Sequence, residues 1–387
     1  MPERETHGSS QPRGGVRRAL LLALAALAVL ALLGSLAASG YLWLQSAYDA
    51  PGPAAAASRF EVSAGTSLRS VLQRLESQGV VRNARAVEWH LRLHGSRPRV
   101  QAGAYELPPH ASPGQIITLF EEGKVILEQL TVVEGATFSD FLAALAQHPR
   151  IAHTLGDQPP GQIMVALGHA GEGAEGRFFP DTYRFAAGTT DLAILGLAYE
   201  SMQRQLAAAW DARRPGLPLA APYQALILAS MVEKEAALKS ERALIAGVFI
   251  NRLRRGMRLQ SDPTVVYGLG ASYDGTIHTR DLLRDTPYNT YTREGLPPTP
   301  IALPGHEALM AAVQPEDTGA LYFVATGLGD GAHHFSQTLE EHNSAVQAYL
   351  VRLREQERRA RSRPPVTPVA PVTPPAATAS KPGTPHP

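Results

Sequence analysis

One stretch limits what this chain can fold into more than any other. Ala19 to Leu44 is a run of 26 residues without a charge. As a helix it rises about 1.5 Å per residue and spans roughly 39 Å, more than the ~30 Å hydrocarbon core of a bilayer. Gly34, Ser35 and Ser39 are tolerated in such helices, and Tyr41 and Trp43 stand where interfacial aromatics are expected. Arg13, Arg17 and Arg18 precede the run, and Asp49 is the first charge after it. The positive-inside rule then makes residues 1–18 a cytoplasmic leader, 19–45 a single transmembrane helix, and everything beyond an extracytoplasmic chain. A cleaved signal peptide is the competing reading, since Ser35-Leu36-Ala37-Ala38 is rich in small residues. The apolar stretch exceeds the ~7–15 residues of a signal core, which favours the uncleaved anchor.

The remainder has room for two or three modest domains. An apolar content of 44 % is enough to build their cores. Lys plus Arg (36) and Asp plus Glu (35) nearly cancel, so the charge gives no reason to expect a nucleic-acid partner. The absence of cysteine excludes disulfides, thiolate nucleophiles and Cys-based zinc sites.

After a Pro/Gly/Ala linker over 46–58, residues 59–128 read as a small α+β module. Phe60 to Val62 suggests a strand. Thr66 or Ser67 can cap a helix carrying Leu68, Val71, Leu72 and Leu75 at helical spacing, ended by Gly79. A second helix is expected over about 85–93 and a strand over 100–107. Ser112-Pro113 starts a further helix with Ile116, Ile117 and Phe120. Ile126 to Val133 is β-rich, and Thr137 with Asp140 forms a capping box. A larger α+β domain is expected over 129–355, with helices near 191–210, 223–238, 241–254 and 339–354 and a strand at 321–325. From 356 to 387 the chain turns Pro-, Thr- and Ala-rich without apolar periodicity and is expected to be disordered.

The most informative segment is Ala225-Leu226-Ile227-Leu228-Ala229-Ser230-Met231-Val232-Glu233-Lys234-Glu235, an apolar helix ending in two carboxylates. At about 100° per residue the two acids point about 160° apart. Ile227, Leu228, Met231 and Leu238 share Glu235's direction, so Glu235 continues the buried stripe and Glu233 falls on the opposite, polar side. A carboxyl held against apolar groups resists ionising, which is the state a general acid needs near neutral pH. The alternative is a helix-ending Glu235 paired with Lys239 or Arg242. Gln260, Asp262 and Thr264 form a polar loop after Gly256 suited to sugar hydroxyls. Tyr288, Asn289 and Tyr291 offer an amide and aromatic faces on which sugar rings can lie. Asp262 before Pro263 also suits simple turn capping. Surface pairing is the expectation for Arg252, and structural packing for Glu175 and Asp181. His333, His334, Glu341 and His342 match no zinc spacing, so neither metal nor cofactor is expected.

The wider pattern is specific. Val232-Glu233-Lys234-Glu235, Ser240-Glu241-Arg242, Val248-Phe249-Ile250-Asn251-Arg252-Leu253, Gln260-Ser261-Asp262-Pro263-Thr264, Tyr288-Asn289-Thr290-Tyr291, Gly295-Leu296-Pro297-Pro298-Thr299-Pro300-Ile301, His334-Phe335-Ser336 and Glu341-His342-Asn343 occur in this order. Val133-Glu134-Gly135 and Glu175-Gly176-Arg177-Phe178-Phe179-Pro180-Asp181 stand upstream. Over about 58–352 this string resembles the endolytic murein transglycosylases, the MltG or YceG-like family. The resemblance implies one N-terminal membrane helix, a LysM-like subdomain at 59–128 and a YceG-like catalytic domain at 129–355. It also implies that the second acid of the Glu-Lys-Glu motif, Glu235, is catalytic. The implied reaction is cleavage of the bond from N-acetylmuramic acid to N-acetylglucosamine in peptidoglycan, leaving 1,6-anhydro ends, in a protein of the inner membrane facing the periplasm. Its partners are then glycan strands and the bilayer, with cell-wall synthases (penicillin-binding proteins) consistent with a role in setting strand length. A muramidase-type hydrolase and a non-catalytic wall-binding scaffold are the rival functions.

Overall fold

The computed structural model describes residues 13–63 and 65–362. Most of the leader and the Pro-rich stretch from Arg363 onward lie outside the described residues. The fold mixes helix and sheet. Helix α1 (Arg13–Asp49) is continuous, and its stretch Arg18–Asp49 is long and apolar enough to cross a membrane. Its leucines from Leu20 to Leu36 are exposed. By internal contacts the chain divides into one unit running to Ala208 plus Thr299–Gly305, and a second made of Ala209–Pro298 and the chain from His306 onward.

In the first unit β1 (Ser58–Val62) is followed by α2 (Leu68–Ser77), α3 (Ala84–Leu93), β2 (Gly103–Leu107) and α4 (Pro113–Glu121). β1 and β2 pair antiparallel with Phe60 opposite Tyr105. Ser67, not Thr66, caps α2 by accepting from the Ser70 amide at 3.2 Å. Ser112 and Gln115 form a reciprocal capping box on α4 with Pro113 in its first turn. The apolar positions of these elements converge on one core around Phe60, Leu72, Leu75, Tyr105, Ile116 and Phe120. The chain goes on through β3 (Leu127–Thr131), α5 (Phe138–Gln147), α6 (Pro160–Ala166), β4 (Thr182–Ala186) and α7 (Asp191–Asp211). β3 pairs antiparallel with β4, Leu130 opposite Tyr183. A second core gathers Phe141, Phe178, Tyr183, Ile194 and Leu303. Glu175 accepts from the Phe138 amide at 3.0 Å and so tethers the start of α5.

The second unit holds α8 (Pro222–Glu235), α9 (Arg242–Arg254), α10 (Asp262–Leu269), α11 (Thr279–Leu283) and α12 (His306–Val313). The hairpin of β5 (Tyr322–Ala325) and β6 (His333–Ser336) and the long α13 (Leu339–Ser362) complete it. α8 packs against both α9 and α12. Every residue of α8 from Ala225 to Val232 is buried, as expected of a helix that is apolar on all sides. Two boundaries move from their sequence-based positions. α8 stops at Glu235 rather than 238, because Ala236 turns extended. α13 runs on to Ser362, past the expected start of the tail at 356.

Gly247 shows how closely the second unit is packed. A Cβ there would lie 2.1 Å from the Glu316 carbonyl oxygen, a backbone atom. Gly247→Ala is expected to lower stability by about 1–3 kcal/mol, an overpacking cost, read as a reduced midpoint in denaturant unfolding of the full chain.

Candidate active site

Glu235 is the last residue of α8 and is half-buried. Its Oε1 accepts a 2.7 Å hydrogen bond from the Ser261 hydroxyl. Burial pushes its carboxyl up to about 7 from the ordinary 4.5; the negative Asp262 nearby adds to the rise, while Ser261 and His333 oppose it. Such a group is a proton donor at neutral pH.

Ser261 is delivered by an unusual backbone. Gln260 has φ +51°, in the left-handed region that a side chain like glutamine seldom adopts. The loop is held there from both sides. Gln260 N–H donates to the Thr290 carbonyl at 3.1 Å and Ser261 N–H to Thr290 Oγ1 at 2.9 Å. The buried Arg252 donates to the carbonyls of Leu321 (2.6 Å), Leu259 (2.9 Å) and Arg258 (3.2 Å) and to Gln260 Oε1 (3.1 Å). The expected surface pairing of Arg252 is therefore corrected: it ties the 258–260 loop to the start of the β5 hairpin. Strain of this kind persists only where its surroundings over-determine it.

Asp262 opens α10 and is exposed; the Tyr291 hydroxyl donates to it at 2.5 Å. Burial and this acidic partner push the Tyr291 phenol well above its ordinary range, with Glu235 adding to the effect, so it stays a donor. Gln260 is exposed and Tyr288 half-exposed beside Tyr267, their rings 4.8 Å apart. Two of the six expected sugar contacts sit elsewhere. Thr264 and Asn289 are fully buried. Thr264 donates to the Ser261 carbonyl at 2.6 Å and shares a 2.9 Å hydrogen bond with Thr290. Asn289 donates to the carbonyls of Arg284, Leu282 and Asp281 and accepts from the Tyr291 amide. Both shape the loops that carry Ser261 and Tyr291, and neither side chain faces solvent.

The first acid of the motif also corrects its sequence reading. The Glu233 side chain is 5 % exposed and pairs with Arg242, which is 6 % exposed. Arg242 also donates to Glu307 at 2.9 Å. The far side of α8 thus meets a buried arginine and not water. Three further groups escaped the sequence: Ser261, Thr290 and the Glu241–His333 pair. Glu241 accepts from the His333 amide at 2.9 Å and from His333 Nδ1 at 2.7 Å. With Nδ1 so engaged, Nε2 is the free nitrogen of a ring close enough to influence Glu235. Ser261 stood inside the quoted motif and Glu241 just after α8, but pairings across 26 and 92 residues leave no trace in local periodicity.

A profile of the YceG-like family matches residues 60–348. The chain belongs to the YceG-like family. An endolytic murein transglycosylase from Bacillus subtilis (strain 168) is 30 % identical over 306 residues, covering 75 % of this chain and 84 % of that protein. A protein of the same name from Streptococcus pneumoniae serotype 2 is 26 % identical over 360 residues, covering 83 % of this chain but 64 % of its own length. A crystal structure of a YceG-like protein from Listeria monocytogenes aligns over 74 % of this chain and 98 % of that one, with 30 % identity and a TM-score of 0.47.

Two stability measurements follow from this geometry. Glu233→Gln weakens a buried ion pair and is expected to lower unfolding free energy by about 1–3 kcal/mol. Glu235→Gln should do the reverse at alkaline pH. With a folded value near 7 against an ordinary 4.5, the folded chain holds a proton that the unfolded chain has already lost. Wild-type stability is therefore fullest below 4.5 and falls as pH rises through 7. The Gln variant escapes that fall and should exceed wild type above pH 7 by on the order of 1–3 kcal/mol, the gain vanishing in acid. Denaturant titrations at acid and alkaline pH read the difference.

Proposed function

We propose that this chain is an endolytic murein transglycosylase, a lyase that cleaves peptidoglycan glycan strands with Glu235 as both acid and base. The observation that carries the reading is the Glu235 carboxyl itself: half-buried, hydrogen-bonded to Ser261 and still protonated up to about pH 7. The protonated carboxyl gives its proton to the glycosidic oxygen between N-acetylmuramic acid and N-acetylglucosamine, and the C1–O bond breaks. The carboxylate so formed takes the proton of the muramic acid 6-hydroxyl, whose oxygen closes on C1. No water enters, the product carries a 1,6-anhydro ring, and Glu235 ends as it began. One group alternating between the two forms serves this path, where a hydrolase usually needs a second carboxylate.

The surrounding groups support distinct roles. Ser261 orients the Glu235 carboxyl. Exposed Gln260, Asp262 held by Tyr291, and the ring of Tyr288 offer hydrogen-bonding groups and aromatic surface to a sugar. Thr264 and Asn289 act beneath them as scaffold. Around this site we place a cytoplasmic leader at 1–18, a membrane helix at 19–45 and a linker at 46–58. A LysM-like glycan-holding subdomain at 59–128 and the catalytic domain at 129–355 follow. The orientation puts the enzyme on the periplasmic face of the inner membrane, within reach of nascent strands and of cell-wall synthases. The βααβ order of β1, α2, α3 and β2 supports the LysM-like assignment.

Purified glycan strands digested with the full chain and weighed by mass spectrometry test the reading. Anhydro ends, one water lighter than reducing ends, are expected; reducing ends would make the enzyme a muramidase. Glu235→Gln should reduce cleavage ~10²–10⁴-fold while remaining folded. Wild-type kcat/KM should fall on the alkaline side near pH 7, where Glu235 loses its proton. Because His333 holds that value down, His333→Gln should move the alkaline limb upward. An unmoved limb would reduce His333 to a packing role.

A further inference from the structure

The last turns of α1 lie alongside α3. The Tyr48 ring stacks on His90 at 4.1 Å, His90 stacks on His94 at 4.2 Å, and the Tyr41 hydroxyl is 3.5 Å from His94 Nε2. Tyr48 is seated over Gly114, where a Cβ would come within 2.8 Å of its ring. The order of these contacts makes the two helices antiparallel: the earlier residue on α1 meets the later one on α3. Tyr41 lies three residues inside the apolar run that ends at Leu44, a depth of roughly 4–5 Å at about 1.5 Å per residue. On the reading of α1 as membrane-spanning, on which this inference rests, the C-terminal end of α3 therefore reaches the level where the bilayer begins.

The side chains at that end fit the place. Trp89 and Leu93, one helical turn apart, are 56 % and 60 % exposed. Arg92 lies over the Trp89 ring at 5.6 Å. Exposed Arg97 and Arg99 follow immediately. From Arg82 to Arg99 the sequence holds five arginines and a single acid, Glu88. Tryptophan prefers the membrane interface, and clustered arginines are drawn to anionic headgroups. A helix face that joins an apolar body to such a cationic rim has the chemistry of a surface lying in the headgroup layer.

We propose that the Trp89–Leu93 face of α3, with Arg92, Arg97 and Arg99, is seated in the anionic headgroup layer of the bilayer that α1 crosses. The anchor then fixes the small β1–α4 core against the membrane surface as well as tethering it. The occupant is phospholipid of the same leaflet, argued from the level set by Tyr41 and His94 and from the excess of arginine.

The chain has no cysteine, so single labelling sites can be introduced cleanly. Leu93→Cys, Ser77→Cys and Ala31→Cys, each carrying a nitrobenzoxadiazole label, are reconstituted as full chains in phosphatidylcholine vesicles with or without phosphatidylglycerol. Ser77 ends α2, next to the opposite end of α3, and serves as the aqueous reference. Ala31 marks the middle of the apolar run. A headgroup-proximal nitroxide lipid should quench the Leu93 label several-fold more than the Ser77 label, and more so with phosphatidylglycerol. The double substitution Arg97→Gln, Arg99→Gln should remove that lipid dependence. A Leu93 label left unquenched and as open to aqueous iodide as Ser77, while a deep nitroxide lipid quenches Ala31, overturns the seat but leaves the membrane helix standing. An unquenched Ala31 label overturns the membrane helix itself, and the seat falls with it. Shielding of Leu93 from iodide that persists in detergent without phospholipid points to a protein cover and also overturns the proposal.

Discussion

A carboxyl at the end of a helix that is apolar on every side can keep its charge only if something else takes the place of water. At Glu235 that role falls to one serine hydroxyl, and it does not suffice. Ser261 and His333 pull the group toward ionisation, burial and Asp262 push the other way, and burial is the largest influence. The site's other features are arranged around this balance. The turn at 258–261 and the β5–β6 hairpin flank the end of α8, and buried polar groups fix both. Thr290 receives the 260–261 amides, Arg252 gathers the 258–260 loop and the start of the β5 hairpin, and Glu241 clamps His333. Side chains fixed in this way need no reorganisation when charge develops on a substrate, and that preorganisation is where much of an enzyme's rate advantage arises.

The same helix handles its two acids in opposite ways. Glu233 is placed against Arg242, a pair that joins α8 to α9 and, through Glu307, to α12. Glu235, two residues on, forms no ion pair among the described residues and resists ionising. One element thereby carries a structural carboxylate and a proton donor. The environment, not the residue type, separates their roles, a pattern expected where a single fold must run acid and base chemistry near neutral pH.

Much of this was readable in the chain. The cap residues Ser112 with Gln115 and Thr137 with Asp140, the apolar spacing of Leu72 and Leu75, and the uninterrupted run from Ala225 to Val232 all report local physics, and they fixed helices close to where they lie. What failed shares a cause. The sequence offers no strand signal for Thr182–Ala186, because a five-residue strand among aromatics has little alternation to display until β3 pairs with it. His333–Ser336 drew attention for its histidines, while its pairing with β5 went unnoticed. Glu233 was assigned to a solvated face by helix phase alone. The run from Ala225 to Val232 itself argued that α8 has no solvated face, and a buried acid there required a buried cation. Thr264 and Asn289 looked like sugar contacts because polar residues in loops often are, yet their amide and hydroxyl groups hold neighbouring carbonyls.

The distinction between orienting and touching groups also bears on why a single acid can serve the proposed reaction. A group acting first as acid and then as base must have an affinity for protons close to ambient pH, since a stronger acid would be ionised before the first step and a weaker one would release its proton too reluctantly. Burial alone would hold the carboxyl higher still. Ser261 restrains it, but only while the left-handed turn at Gln260 presents its hydroxyl, and that turn is held by Thr290 and by Arg252. The route from sequence to chemistry therefore passes through residues with no chemistry of their own. Arg252, on the α9 helix, bonds the backbone of the loop that positions the serine that tempers the acid. Loosening any of these links weakens the hold on the Ser261 hydroxyl and so raises the proton affinity of Glu235.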